Sequence, residues 1–284
     1  MKSILVPTDF SEQAQYALDL AYGIAKKTDA TVKLLNVVEA PHGTSFNAMG
    51  EVTAPDGMDS VFFAQLLKRM KDQLAELVQN PKYKDIALDG EVAIGNPYES
   101  IARSITDQEV DLVIMGTQGS SGLEEVLVGS NTEKVVRRAH CPVLTVKEAV
   151  DAASIKNIVF ATSLRDDEDE HLVKELIKLQ SLFDAKLHIV SVNTPSSFEN
   201  DRYYKKEMKA FVEKHKLENY TLNVYNDDVE EDGIVFFAED INADMIALAT
   251  HGRRGISHLL SGSIAEDVVN HAKRPVWTFS LAKK

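Results

Sequence analysis

The chain repeats itself, and that repeat limits its possible folds more than any other feature. The segment Asp111–Val146 aligns without a gap to Asp244–Phe279, with about 14 of 36 pairs identical. The shared residues include Gly, Ser, Glu and Pro at fixed positions, which common α/β composition does not produce. Earlier in each half, KSILVPTDF (Lys2–Phe10) matches KNIVFATSL (Lys156–Leu164), and DATVKLLNVV (Asp29–Val38) matches DAKLHIVSVN (Asp184–Asn193). A chain of 284 residues holds two domains at roughly 150 residues each. The expected units are residues 1–147 and 154–284, joined by a short linker, Glu148–Ser154.

Within the first half, apolar runs alternate with helical periodicity. Ile4–Val6 reads as a short buried strand. Ser11 is placed to cap a helix whose apolar face is Ala14, Ala17, Leu18, Ala21, Ile24 and Ala25. Thr31–Val38 is β-branched and apolar, a strand. Residues 42–59 are rich in Gly, Pro, Asn and Asp and read as an irregular loop. Phe63, Leu66, Leu67, Met70, Leu74 and Leu77 mark a helix, Glu91–Ile94 a strand, and Ile101, Ala102 and Ile105 another helix. Leu112–Met115, Ser130–Ala139 and Val143–Val146 complete the half as strand, helix and strand. The second half repeats this order and ends at Val276–Phe279. Strict β-α alternation implies parallel sheets with helices on both faces.

Composition excludes several functions. Lys and Arg total 31 against 44 Asp and Glu, a formal charge of −13. Nucleic-acid binding is not expected, because phosphate backbones need a basic stripe. No apolar run reaches the roughly 18 residues of a membrane span, and no signal peptide is evident, so no membrane association is expected. The one cysteine, Cys141, forms no internal disulfide and reads as a small buried residue, which fits a cytoplasmic protein. There is no P-loop, HExxH, Cys/His zinc spacing or GxSxG elbow. His251 falls in the second-half loop but reads as a solvated or capping histidine. No catalytic residues are assigned.

The segment that does suggest chemistry is Gly116-Thr-Gln-Gly119, then nine residues, then Gly129-Ser130. It starts where a strand ends and finishes where a helix opens. Glycine admits close backbone approach, and the first N–H groups of the helix lack partners within it, as at anion-binding helix N-termini. The Ser130 hydroxyl could cap the helix or meet a phosphate. From spacing alone the segment is either a phosphate site or a structural turn.

This glycine-serine pattern, with VPTDFS near the N-terminus and CPVLTV at the close, resembles the universal stress protein (UspA) family, in two tandem copies covering essentially the whole chain. The resemblance implies an α/β fold of two Rossmann-like (HUP/UspA-type) domains, each a five-stranded parallel sheet ordered 3-2-1-4-5 with helices on both faces. It implies ATP as ligand, with Mg or Mn as the accompanying metal if one is used. Asp9 would meet the adenosine, with Pro7 and Thr8 shaping that wall. Val37 would pack against adenine. Met115 and Gly116 would line the ribose and α-phosphate side, and Gly119, Gly129, Ser130 and Asn131 would hold the phosphates. Asp9 could equally serve the dipole of the following helix, and Val37 could be ordinary core. The resemblance also implies that the final strands, Pro142–Val146 and Pro275–Phe279, pair the halves as an intrachain pseudo-dimer, with homo-oligomers of whole chains beyond that.

The second half departs from the pattern. Ser163 stands where Asp9 does, and Ala249 where Gly116 does. Asp228 and Glu230 bring acidity toward the expected phosphates, while Arg253 and Arg254 oppose it. Thr162, Gly252, Gly262 and Ser263 survive as a weaker second site. The expected function is an ATP-binding stress-response regulator with little or slow hydrolysis, at most a weak ATPase. The competing readings are a scaffold for protein–protein interaction that binds no nucleotide, and an adenylating enzyme whose acid-base pair is not identifiable.

Overall fold

The computed structural model describes residues 1–39, 45–46, 52–53, 57–117, 129–164, 170–250 and 261–280. Of these, 45–46, 52–53, 57–60 and 261–263 are described by backbone alone. The first half runs β1 (Ser3–Pro7), α1 (Glu12–Thr28), β2 (Thr31–Val38), β3 (Ser45–Phe46), β4 (Val52–Thr53), α2 (Gly57–Val78), β5 (Leu88–Ile94), α3 (Pro97–Asp107), β6 (Leu112–Gly116), α4 (Ser130–Arg138) and β7 (Val143–Val146). The second runs β8 (Asn157–Ala161), α5 (Glu170–Phe183), β9 (Lys186–Asn193), α6 (Asp201–His215), β10 (Tyr220–Asn226), α7 (Glu230–Asp240), β11 (Met245–Thr250), α8 (Ser261–His271) and β12 (Val276–Ser280).

Each half is a doubly wound α/β unit around a five-stranded parallel sheet. In the first, the order is β5-β2-β1-β6-β7; in the second it is β10-β9-β8-β11-β12. Apolar residues alternate between the two faces of the strands. Ile4 and Val6 of β1 meet α1, while Leu5 joins Ile101 and Ile105 of α3 and Val135 and Val136 of α4. The chain therefore leaves β1 toward one face and β6 toward the other, and their adjacent carboxyl ends form the switch-point crevice.

Strands β7 and β12 pair antiparallel and join the two sheets into one of ten strands, with Thr145 opposite Val276, Leu144 opposite Trp277 and Val143 opposite Thr278. The joint is reciprocal. Thr145 Oγ1 donates to the Val276 carbonyl at 3.2 Å, and Thr278 Oγ1 donates to the Val143 carbonyl at 3.3 Å. On one side of the sheet a single apolar cluster crosses the joint, carrying Leu144, Trp277 and Phe279 together with residues of α1 and α5. On the other side each half has its own cluster. There the helices after the glycine loops touch, and Arg137 Nε of α4 donates to Glu266 Oε1 of α8 at 2.6 Å.

Several sequence expectations change. Residues 42–59 contain the paired strands β3 and β4 and the start of α2. Strand β5 begins at Leu88, three residues earlier than read, because Gly90 does not break it. A Cβ there would lie 2.8 Å from Leu74 Cγ, so the missing side chain makes room for α2. The linker is packed: Ala152 is buried, its Cβ fills the space that a Gly23 side chain would need, and its carbonyl accepts Lys27 Nζ at 3.0 Å. Cys141 is buried, which pushes its thiol up to about 12.

Candidate functional site

The first-half crevice is built by the turn after β1. The Thr8 N–H donates to the Leu35 carbonyl at 2.9 Å, extending β1 beside β2, and Thr8 Oγ1 then accepts the Phe10 N–H at 3.1 Å. Phe10 sits at φ 64°, a left-handed conformation that costs a bulky residue energy and turns the chain sharply. That turn projects Asp9 into solvent at the crevice mouth. One Asp9 oxygen accepts the Ser11 N–H at 2.9 Å, and Ser11 Oγ caps α1 by accepting the Ala14 N–H at 3.2 Å. Asp9 thus helps start α1, and its second oxygen has no partner among the described residues.

Behind this turn stands Asn36, a buried residue that the sequence reading missed. Its Nδ2 donates to the Thr8 carbonyl at 2.8 Å and fixes the turn from β2. A single asparagine inside an apolar strand was the available signal. Pro7 ends β1, opposite Leu35. Val37 is half-buried against the cluster under α3, with Ala93 and Tyr98. Met115 is fully in that core, so only its backbone can face a ligand.

Gly116 is required by packing, whatever the crevice holds. A Cβ there would lie 2.2 Å from Gln13 C and 2.5 Å from Ala14 N. The glycine admits the first turn of α1, and that packing alone demands it. Gly129 is the opposite case, since a Cβ there meets none of the described residues within 4 Å. It is the N-cap residue of α4 and contributes no side-chain cap; Ser130 is the first helical residue rather than the cap. Among the described residues no side chain caps the opening N–H groups of α4, and Ser130, exposed, and Asn131, half-buried, lie beside them. Gly119 lies outside the described residues.

The second half repeats the first turn closely. Thr162 N donates to the Val190 carbonyl at 3.0 Å, Thr162 Oγ1 accepts the Leu164 N–H at 3.0 Å, and Leu164 sits at φ 57°. Ser163 occupies the place of Asp9. The wall at the ends of the next two strands differs in kind. The first half pairs Val38 with Ile94, whereas the second pairs Asn193 with Asn226, whose side chains hydrogen-bond at 3.0 Å. Asn193 Oδ1 also accepts Tyr204 OH and the Glu199 N–H. Asn193, Asn226, Asp227, Asp228 and Phe198 line an open groove of about 680 Å³. Asp228 is thus separated from β11 by β9 and β8, and Glu230 opens α7. Asp228 follows the edge strand, and Glu230 starts the helix α7 that packs on α8. Gly262 and Ser263 fall in the first turn of α8, known here by backbone alone, and Gly252 lies outside the described residues, as do His251, Arg253 and Arg254.

A smaller cavity of about 80 Å³ lies between α3 and α4, lined by Tyr98, Ala102, Val135 and Arg138. It holds a few waters at most and shares no residue with the crevice. Among the described residues no group of His, Cys, Asp and Glu is arranged to hold a metal ion, and no helix is long and apolar enough to cross a membrane.

Two doubly wound parallel sheets in tandem, each with a crevice at its switch point and joined edge to edge, define a class: tandem Rossmann-like α/β proteins. The chain belongs to the universal stress protein family, whose sequence profile matches residues 1–147 and again 154–280. A universal stress protein of Methanocaldococcus jannaschii is 33% identical over 153 residues, covering 52% of this chain and 82% of that protein. Across the whole length, the crystal structure of a universal stress protein from Archaeoglobus fulgidus superposes with a TM-score of 0.74 at 18% identity, covering 99% of this chain and 98% of that one. A protein of unknown function from Pseudomonas aeruginosa matches with a TM-score of 0.66 at 18% identity, over 99% of this chain and 92% of its own. These structural likenesses concern the fold.

Proposed function

We propose that the first half binds ATP, or ADP, in the crevice between β1 and β6, and that the protein is a nucleotide-responsive regulator in the stress response. The observation that carries this reading is the start of α4 at Gly129, where no described residue caps the helix and none lies within 4 Å of where a Cβ would stand. Asp9 offers a free carboxylate oxygen to the sugar, and the N–H groups of α4 with Ser130 and Asn131 receive phosphate oxygens. A divalent cation such as Mg, if bound, would share the charge of the phosphates. The second crevice binds ATP more weakly, because it lacks the carboxylate and lines its base wall with amides and acids. The halves behave as a pseudo-dimer within one chain, and the protein acts in the cytoplasm.

The test is calorimetric titration of the full chain with ATP and Mg. Gly129→Val adds a side chain beside the helix start, where it meets none of the described residues. It should abolish binding while leaving the thermal unfolding curve in place. Unchanged affinity in the folded variant would refute the site. One observation favours a second reading, a scaffold without nucleotide: Gly116 is explained by α1 alone. Under that reading, wild-type protein shows no ATP heat at all.

A further inference from the structure

The groove at the carboxyl ends of β9 and β10 is built around one buried side chain. Asn193, 8% exposed, ends β9 and ties together two walls that come from different elements. Its Oδ1 accepts the Glu199 N–H at 3.0 Å, and its Nδ2 donates to Asn226 Oδ1 at 3.0 Å. On the first wall a single 3-10 turn, Pro195–Ser197, is knotted by Thr194 Oγ1, which lies 3.0 Å from Ser196 Oγ and 2.8 Å from Ser197 Oγ. Phe198, between that turn and the pinned Glu199 N–H, lines the groove while 71% exposed. On the second wall the Asp227 N–H donates to the Asn193 carbonyl at 3.3 Å, and Asp227 Oδ1 accepts the Asp228 N–H at 2.7 Å. Gly233 of α7 makes room for this turn, since a Cβ there would lie 3.0 Å from Asp227 Cβ. The other Asp227 oxygen and the Asp228 carboxylate have no hydrogen bond or ion pair among the described residues.

We propose that this groove binds an aliphatic organic cation, an amine or guanidine carried on a methylene chain. The two carboxylates on one wall, with no Lys or Arg paired to them among the described residues, call for positive charge. On the other wall the face of Phe198 attracts a cation, and the ring with Pro195 offers apolar surface to its stem. A phenylalanine in water forfeits the gain from burying its ring, yet the network behind Asn193 holds this one at the surface. The groove, about 680 Å³, is far larger than a metal ion needs and lies within the range of small-molecule sites. Phosphates would meet repulsion from the same carboxylates. The first half has Val38 and Ile94 in the places of the two asparagines and therefore lacks this tie. The proposal does not depend on any nucleotide in either crevice.

Calorimetric titration of the full chain, without nucleotide and at physiological salt, tests it with two probes, spermidine for the amine and agmatine for the guanidine. At least one should bind with a stoichiometry near one, and the better of the two identifies the head group. Asp228→Asn should weaken that binding about tenfold, the loss of a charge-assisted hydrogen bond, and Phe198→Ala about threefold, the loss of the ring face. Glu218→Gln removes the same charge beyond the opposite end of β10 and should change nothing. All three residues are exposed, and an unchanged circular dichroism spectrum confirms that each variant folds. Equal losses with Glu218→Gln and Asp228→Asn would reduce the effect to overall charge and overturn the proposal. No heat with either probe, or a groove that Mg occupies in preference to both, overturns it as well.

Discussion

The two crevices share a scaffold and differ in what lines it. Both have the threonine turn, with Thr8 and Thr162 each accepting the N–H two residues on, and both hold a bulky residue in the left-handed region. The turn is therefore needed for the fold, since it survives where other residues of the crevice have changed. What varies is Asp9 against Ser163, and the Val38–Ile94 pair against Asn193–Asn226. Features common to both halves are best explained by folding, and features of one half by its ligand. By that criterion Gly116 belongs to neither group simply. It is required by α1 in the first half, and its counterpart Ala249 shows that the requirement is local.

The largest effect should come from breaking that local requirement. Gly116→Ala pushes a methyl into the α1 backbone and should cost about 3 kcal/mol or more in urea denaturation, the upper range of overpacking. Ala249→Gly should cost only about 0.5–1 kcal/mol, the usual price of glycine in a strand. Equal costs would show that the two sites are packed alike. Next is the carboxylate. Asp9→Ser, which copies the second half, should weaken ATP binding by about one to two decades, from the loss of roughly 1.5–3 kcal/mol of charge-assisted hydrogen bonding. Ser163→Asp alone should not create a second site, because the polar wall remains. Calorimetry reads both, and a stoichiometry near two for the wild type would mean that the crevices are equivalent.

A smaller effect is expected at the joint. Arg137→Ala leaves the Glu266 carboxylate shielded from water without its partner and should cost about 1–2 kcal/mol. The smallest is a pH effect confined to one half. His188 accepts or donates to Thr221 Oγ1 and Asn157 Oδ1, and burial, with the Lys186 charge second, holds its imidazole below the usual range. A histidine whose folded value is lowered contributes stability above its unfolded value, near 6.5, and loses it as pH falls through the folded value. Its first-half counterpart is Lys33, paired with Glu91. Unfolding measured from pH 7 to 5 should lose a little stability in the wild type and less in His188→Gln.

The repeat made the two-unit α/β fold readable, and Ser11 with its alanine-rich face made α1 readable, because short-range periodicity and capping are written along the chain. The reason for Gly116 was not readable, since it depends on a helix end about 100 residues earlier in sequence. Nor does anything in a phenylalanine or a leucine announce the left-handed turn at Phe10 and Leu164; a threonine two positions before it is the only trace. In the candidate site, Asp9, Gly129 and Ser130 were legible as a pattern, while Asn36 and the amide wall of the second half became visible only when strands were set side by side.

The packed linker has a consequence of its own. Two separate subunits joined by an edge pairing such as β7–β12 would come apart on dilution, and every substitution would appear twice across the axis. Here the two partners share one chain, so their encounter is intramolecular and the joint keeps its strength however scarce the protein is. The same fusion lifts the rule of identical change. One half can carry an apolar wall where its twin carries amides, a difference that an exact two-fold axis between identical subunits forbids.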